Sequence, residues 1–131
     1  MSLVDSDPRL MPRPIRLASP LFDAFLHSHH CAPEHRWRAR TTLPVLVLFL
    51  AIHHGPVEDR VPWEALDPDA LMADSLEIDH EELGFLRDLL CASSSFYAFL
   101  GDIGIIAAPS AERLRSRLSL LSLGLAAPRA A

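Results

Sequence analysis

The sequence contains no lysine: all twelve of its basic residues are arginine, although lysine is among the commonest residues of average proteins. A GC-rich coding sequence accounts for this, in keeping with the abundant Ala, Pro, Arg and Leu. The sharper reading is avoidance of lysine-directed modification in a host cell, as a viral protein or injected effector requires. Cysteine is almost as scarce. Cys31 and Cys91 cannot make the disulfide framework of a small secreted domain, and free thiols fit the cytoplasm of a bacterium or of a host cell. Gly-rich phosphate loops and Gly-x-Ser-x-Gly elbows are missing too, so no nucleotide site and no serine nucleophile is nominated. An enzyme is not the expected class.

Long hydrophobic runs are also lacking. The longest, Leu43 to Ile52, is ten residues, half of the roughly 20 that a membrane-spanning helix needs. The first residues carry Asp5 and Asp7 before Pro12 and Pro14, which is neither the apolar core of a secretory signal nor an acid-poor transit peptide. No membrane association is expected.

What the chain does have is enough apolar residues for a core: half of its 131 residues are hydrophobic, well above disordered chains. Its charge is unevenly spread. Residues 1–57 hold six arginines against four acids, residues 58–88 eleven acids against two arginines, and residues 89–131 four arginines against two acids. An acidic middle repels phosphates, so no nucleic-acid partner is expected; a basic protein surface is the natural counterpart.

Residues 1–18, with three prolines and no period, read as a flexible arm. Ser19-Pro20 has the chemistry of a helix start, and Phe22, Phe25, Leu26 and His29 then share a face. Pro33 ends that helix near Cys31. A second short helix comes next, with Trp37 pointing inward and Arg36 and Arg40 outside, until Pro44 interrupts or restarts it. The apolar element of residues 43–54 closes on His53, His54 and Gly55, a helix stop. Being apolar all round, it belongs at the centre; a buried strand is the alternative. Asp67-Pro68 suits one short helical turn, and Asp79 with Glu82 a capping box. Leu83, Leu86 and Leu90 then form a stripe, "ASSS" marks a joint or kink, and Gly101 ends the helix. Ser110 caps the last helix, where Leu114, Leu118, Leu121 and Leu125 line one narrow seam, facing a neighbour or a second copy. Residues 126–131 read as a loose tail. The expectation is all-α: one domain over residues 19–125, about five helices packed around the apolar helix of residues 43–54.

The densest cluster of metal-ligand types is "HSHHC". His27, His30 and Cys31 share a helical face, and His35 comes just past the break. Imidazole and thiolate are good zinc ligands, so these four residues form a candidate metal site; a polar helix end, where histidines meet the negative end of the helix dipole, is the simpler account. His53-His54 and His80-Glu81-Glu82 read as helix termini. Cys91, among apolar residues, reads as a small buried hydrophobe. Asp67, Asp69 and Asp74 do not make a calcium loop, because Met72 and Ile78 stand where its glycine and bidentate glutamate are required.

"ADSLE", Ala73 to Glu77, resembles the Asp-Ser-Leu motif of acyl and peptidyl carrier proteins. The resemblance implies a phosphopantetheine arm on Ser75, at the junction between an acidic loop and a helix. It covers five residues, and it departs from the pattern at Met72, where the family has glycine, and at His80, where it has an apolar residue.

The expected function is that of a small non-enzymatic helical module that binds another protein in a regulatory role, with Leu114, Leu118, Leu121 and Leu125 available as a homodimer seam. The expected partner surface is Glu58, Asp59, Glu64, Asp67 and Asp69, with Trp63 as aromatic anchor. A zinc-type sensor or enzyme on His27, His30, Cys31 and His35 is the alternative; otherwise no cofactor is expected.

Overall fold

Apolar side chains at three- and four-residue spacing build five α-helices in the computed structural model, which describes residues 12–54, 60–78 and 83–126 and contains no strand among them. The helices are α1 (Arg13–Leu26), α2 (Arg36–His54), α3 (Pro68–Ile78), α4 (Leu83–Asp102) and α5 (Ala108–Ala126), with 3-10 turns at Pro33–His35 and Trp63–Ala65. The all-α bundle expected from the sequence is what forms. The expected capping box at Asp79 and Glu82, the stop at Gly55, His80 to Glu82, and residues 1–11 and 127–131 lie outside the described residues.

Two prolines expected to bound helices lie inside them instead. α1 begins at Arg13, with Pro14 in its first turn, and runs through Pro20, so residues 13–18 are helical rather than part of an arm. α2 runs unbroken through Pro44. An internal proline costs about 3 kcal/mol through a lost hydrogen bond and a clash with the preceding turn. In α2 the opposing term is larger: Leu43, Leu46, Val47 and Leu50 are completely buried, and each such side chain is worth about 1.5–3 kcal/mol of transfer free energy. Packing outweighs the local rule, and the apolar run forms a helix rather than a strand.

α1 and α4 both pack on α2, α5 lies along α4, and α3 touches α4 and α5. α4 therefore shares the central place with the apolar segment of α2. Leu86, Leu89, Leu90, Ser93, Phe96, Tyr97 and Leu100 line its buried stripe, and the helix passes through "ASSS" without a break. Small side chains suit that stretch because α5 crosses there: Ser94 Oγ donates to the Arg115 carbonyl (3.0 Å). The helix also continues one residue past Gly101. It is terminated by Gly104 at φ +79°, where the Gly104 N–H donates to Gly101 O (3.3 Å) and the Ile105 N–H to Leu100 O (2.9 Å). This paired closure needs a left-handed residue, hence glycine.

At the start of α3, Asp67 Oδ1 accepts from the backbone N–H groups of Asp69 (3.1 Å) and Ala70 (3.3 Å), a side-chain cap. The helix it starts is eleven residues long, where the sequence suggests one turn. α5 starts two residues ahead of Ser110, with Pro109 in its first turn.

Ser93 Oγ is fully buried and has no hydrogen-bond partner among the described residues. Burying an unpaired hydroxyl is unfavourable, and alanine is the better helix former. Ser93→Ala is therefore expected to raise stability by up to about 1 kcal/mol, read as a higher urea midpoint with an unchanged slope. A fall in the midpoint would show that the hydroxyl is bonded in solution.

Candidate functional site

The "HSHHC" segment is a turn, not a helix end. α1 stops at Leu26, and Ser28 organises the turn: its Oγ donates to the Phe25 carbonyl (2.7 Å) and accepts from the His30 N–H (3.2 Å). The Cys31 N–H then donates to Ser28 O (3.3 Å). Ala32 is extended before Pro33 (φ −63°, ψ 143°), as a residue preceding proline prefers. Arg36, expected on an outer face, turns back and donates from Nε to the Leu26 carbonyl (2.8 Å), closing the end of α1 with a cation.

This turn separates the four residues expected to share a metal. His27 Nδ1 lies 2.9 Å from the Asp23 carbonyl. Cys31 is buried, and burial pushes its thiol above the ordinary cysteine range, against the opposing pull of Arg36. His35 is exposed on the next turn. His30 turns toward Asp102 at the end of α4, with Nε2 3.2 Å from Oδ2, while the His29 ring lies 4.2 Å from the His30 ring. Among the described residues, the grouping of metal-ligand side chains is His29, His30 and Asp102, whose ligand atoms all lie within 4.8 Å of one another. Helical spacing set His29 apart from His30. In a turn, neighbouring residues face the same way, and no local signal could bring in Asp102 from 72 residues away.

Beside this turn, between α2 and α4, lies a cavity of about 420 Å³, within the range of small-ligand and side-chain pockets. Phe25, Cys31 and Ala39 supply apolar wall; His35, Arg38, Arg87 and Asp88 supply charge and polarity. Arg38 Nε stands 3.9 Å from Asp88 Oδ2, which leaves the arginines in excess at the mouth. Cys91, expected to be buried, is exposed and borders this cavity. The Arg38 guanidinium lies 5.5 Å from the centroid of the Trp37 ring.

The two tryptophans take the opposite places to those expected. Trp37 is 62% exposed and Trp63 is 3% exposed. Position 37 falls outside the α2 stripe of Ala39, Leu43, Leu46 and Leu50. Trp63 packs edge-on against Phe22 (6.2 Å) and Phe96 (5.1 Å), and its carbonyl accepts from the Tyr97 hydroxyl. Trp63 is thus a core residue and offers no surface anchor.

The acids expected around it are committed within the chain. Glu64 pairs with Arg60 (3.3 Å), Asp67 caps α3, and Asp69 forms a two-pronged pair with Arg117, whose hydrogen bond holds its carboxyl below the ordinary range. Glu58 and Asp59 lie outside the described residues. Leu114 and Leu118 are buried, and the partly buried Leu121 and Leu125 pack against the same core, so the leucine seam faces this chain's own interior. His53 Nε2 lies 2.7 Å from Asp74 Oδ2. Ser75 sits well inside α3, half-buried, rather than at a loop-to-helix junction. No helix among the described residues is long and apolar enough to cross a membrane.

Comparison of the chain with protein-family models, curated proteins and solved structures returns no match.

Proposed function

We propose that this chain is a non-enzymatic binding module that recognises an acidic segment of another protein, anchored by one apolar side chain in the cavity between α2 and α4. The observation that carries the reading is the composition of that cavity: apolar wall at Phe25, Cys31 and Ala39, with Arg38 and Arg87 at its mouth and the exposed Trp37 against Arg38. Tryptophan and arginine are the residues enriched among interface hot spots. An arginine presents a planar fork that matches a carboxylate. A basic partner docking on Glu64, Asp67 and Asp69 is less well supported, because those acids already have partners within the chain.

Selection of random dodecapeptides on the immobilised chain tests this. Enriched peptides are expected to place Asp or Glu beside Leu, Phe or Met. Arg38→Glu with Arg87→Glu is expected to weaken their binding tenfold or more, equivalent to about 1.4 kcal/mol, and added salt to weaken it further. Trp37→Ala is expected to lower affinity without changing stability. Enrichment of basic peptides, or indifference to the arginine substitutions, would refute the assignment.

A further inference from the structure

His29, His30 and Asp102 come from two separate segments, the turn after α1 and the last residue of α4, yet their ligand atoms all lie within 4.8 Å of one another. We propose that these three side chains bind one zinc ion, with a fourth position open to water. The donor set is two imidazoles and one carboxylate, which suits zinc, and three protein ligands plus water is a common zinc arrangement. Ligands around tetrahedral zinc, each about 2.1 Å from the metal, stand about 3.4 Å apart. His30 and Asp102 are already at 3.2 Å. With all ligand atoms within 4.8 Å, closure requires a side-chain movement of about 1.4 Å at most, and His29 is exposed and Asp102 mostly so, which leaves both free to make it.

The frame that holds the ligands is built without the ion. Ser28 bonds the backbone on both sides of the turn. The His30 ring stands edge-on to Phe99 (6.0 Å), one turn before Asp102 on α4. The end of α4 is closed by the Gly104 turn. Because the turn and α4 are positioned independently, the ion would join two preset sites, the condition under which few side chains suffice to bind a metal. The four residues singled out in the sequence do not supply such a site, since among the described residues the grouping of ligand atoms around His30 is formed with His29 and Asp102, not with His27, Cys31 or His35.

His30 also borders the cavity, but the site is complete without any occupant there, so the two assignments fail separately. The full chain, stripped with chelator, is titrated with Zn²⁺ by calorimetry and with Co²⁺ by visible absorption, without peptide. The expected result is one ion per chain, a Co²⁺ spectrum of low coordination number, and a thermal midpoint raised by about 5 °C or more at a hundredfold excess over Kd. His29→Ala and Asp102→Asn, both at exposed positions, are expected to weaken binding tenfold or more while leaving the helical circular dichroism unchanged. His27→Ala, Cys31→Ser and His35→Ala are expected to bind as the parent does. No saturable binding, or full binding by both His29→Ala and Asp102→Asn, would overturn the assignment. Loss of binding in Cys31→Ser or His35→Ala would overturn it as well, in favour of an ion inside the cavity.

Discussion

Replacing Phe96 with alanine is expected to destabilise the protein by about 3–5 kcal/mol, the range for removing a buried aromatic ring. Phe96 is fully buried at the junction of three elements. Its ring meets Phe22 (5.3 Å) and Phe25 (5.4 Å) of α1, Trp63 (5.1 Å) of the 3-10 turn, and Tyr97 (6.3 Å) and Phe99 (6.2 Å) on its own helix. Several of these pairs are edge-to-face, which adds about 0.5–1.5 kcal/mol each beyond area burial. Rigid rings cannot collapse far into the space left behind, so the cavity term should stay large. Thermal unfolding should show the midpoint falling by about 10 °C or more, with Phe96→Leu losing less than half as much. A loss under about 1.5 kcal/mol for the alanine variant would mean that the ring cluster repacks.

Gly101→Val is expected to cost about 3 kcal/mol, at the upper end of overpacking effects. A Cβ at Gly101 would lie 2.5 Å from Ala111 Cβ, well inside contact distance. Ala111 is itself buried, and a methyl carbon has no rotamer by which to withdraw. The helices α4 and α5 must therefore separate. Gly101→Ala sets a helix-propensity gain of about 1 kcal/mol against the same clash and should lose about 1–2 kcal/mol net. The diagnostic is coupling: adding Ala111→Gly should recover much of the Gly101→Ala loss. If the double variant is merely additive, the close approach of the two helices is not what sets the requirement for glycine. Asp102 is the next residue, so a displaced end of α4 should also weaken zinc binding at His29, His30 and Asp102.

The helical architecture was largely legible from spacing. The stripe through Leu83, Leu86 and Leu90 and the seam through Leu114 and Leu118 repeat every three or four residues, and such stripes face a core whatever the core contains. Asp67-Pro68 was likewise recognisable as a helix start, since capping involves only the next three residues. The punctuation signals failed where packing opposed them. Pro20, Pro44 and "ASSS" are local signals worth a few kcal/mol at most, and the buried Phe25 and Leu26 of α1, the leucines of α2 and the aromatic residues of α4 respectively oppose them. Trp37 and Trp63 show a second kind of failure. Hydrophobicity alone does not say which tryptophan is buried; the register of 37 against Ala39 and Leu43 could have placed it outside, whereas Trp63 lies in an aperiodic stretch.

The candidate sites were the least legible part. The concentration of histidines near residue 30, the dominance of helices and the apolar faces of α4 and α5 are all readable along the chain, because they depend on composition and on contacts within four residues. The tertiary structure alone decided that His30 meets Asp102, that Arg38 and Arg87 share one cavity mouth, and that the leucine seam turns inward. Side chains far apart in sequence converge through the packing of whole helices, and no spacing rule reaches across 72 residues.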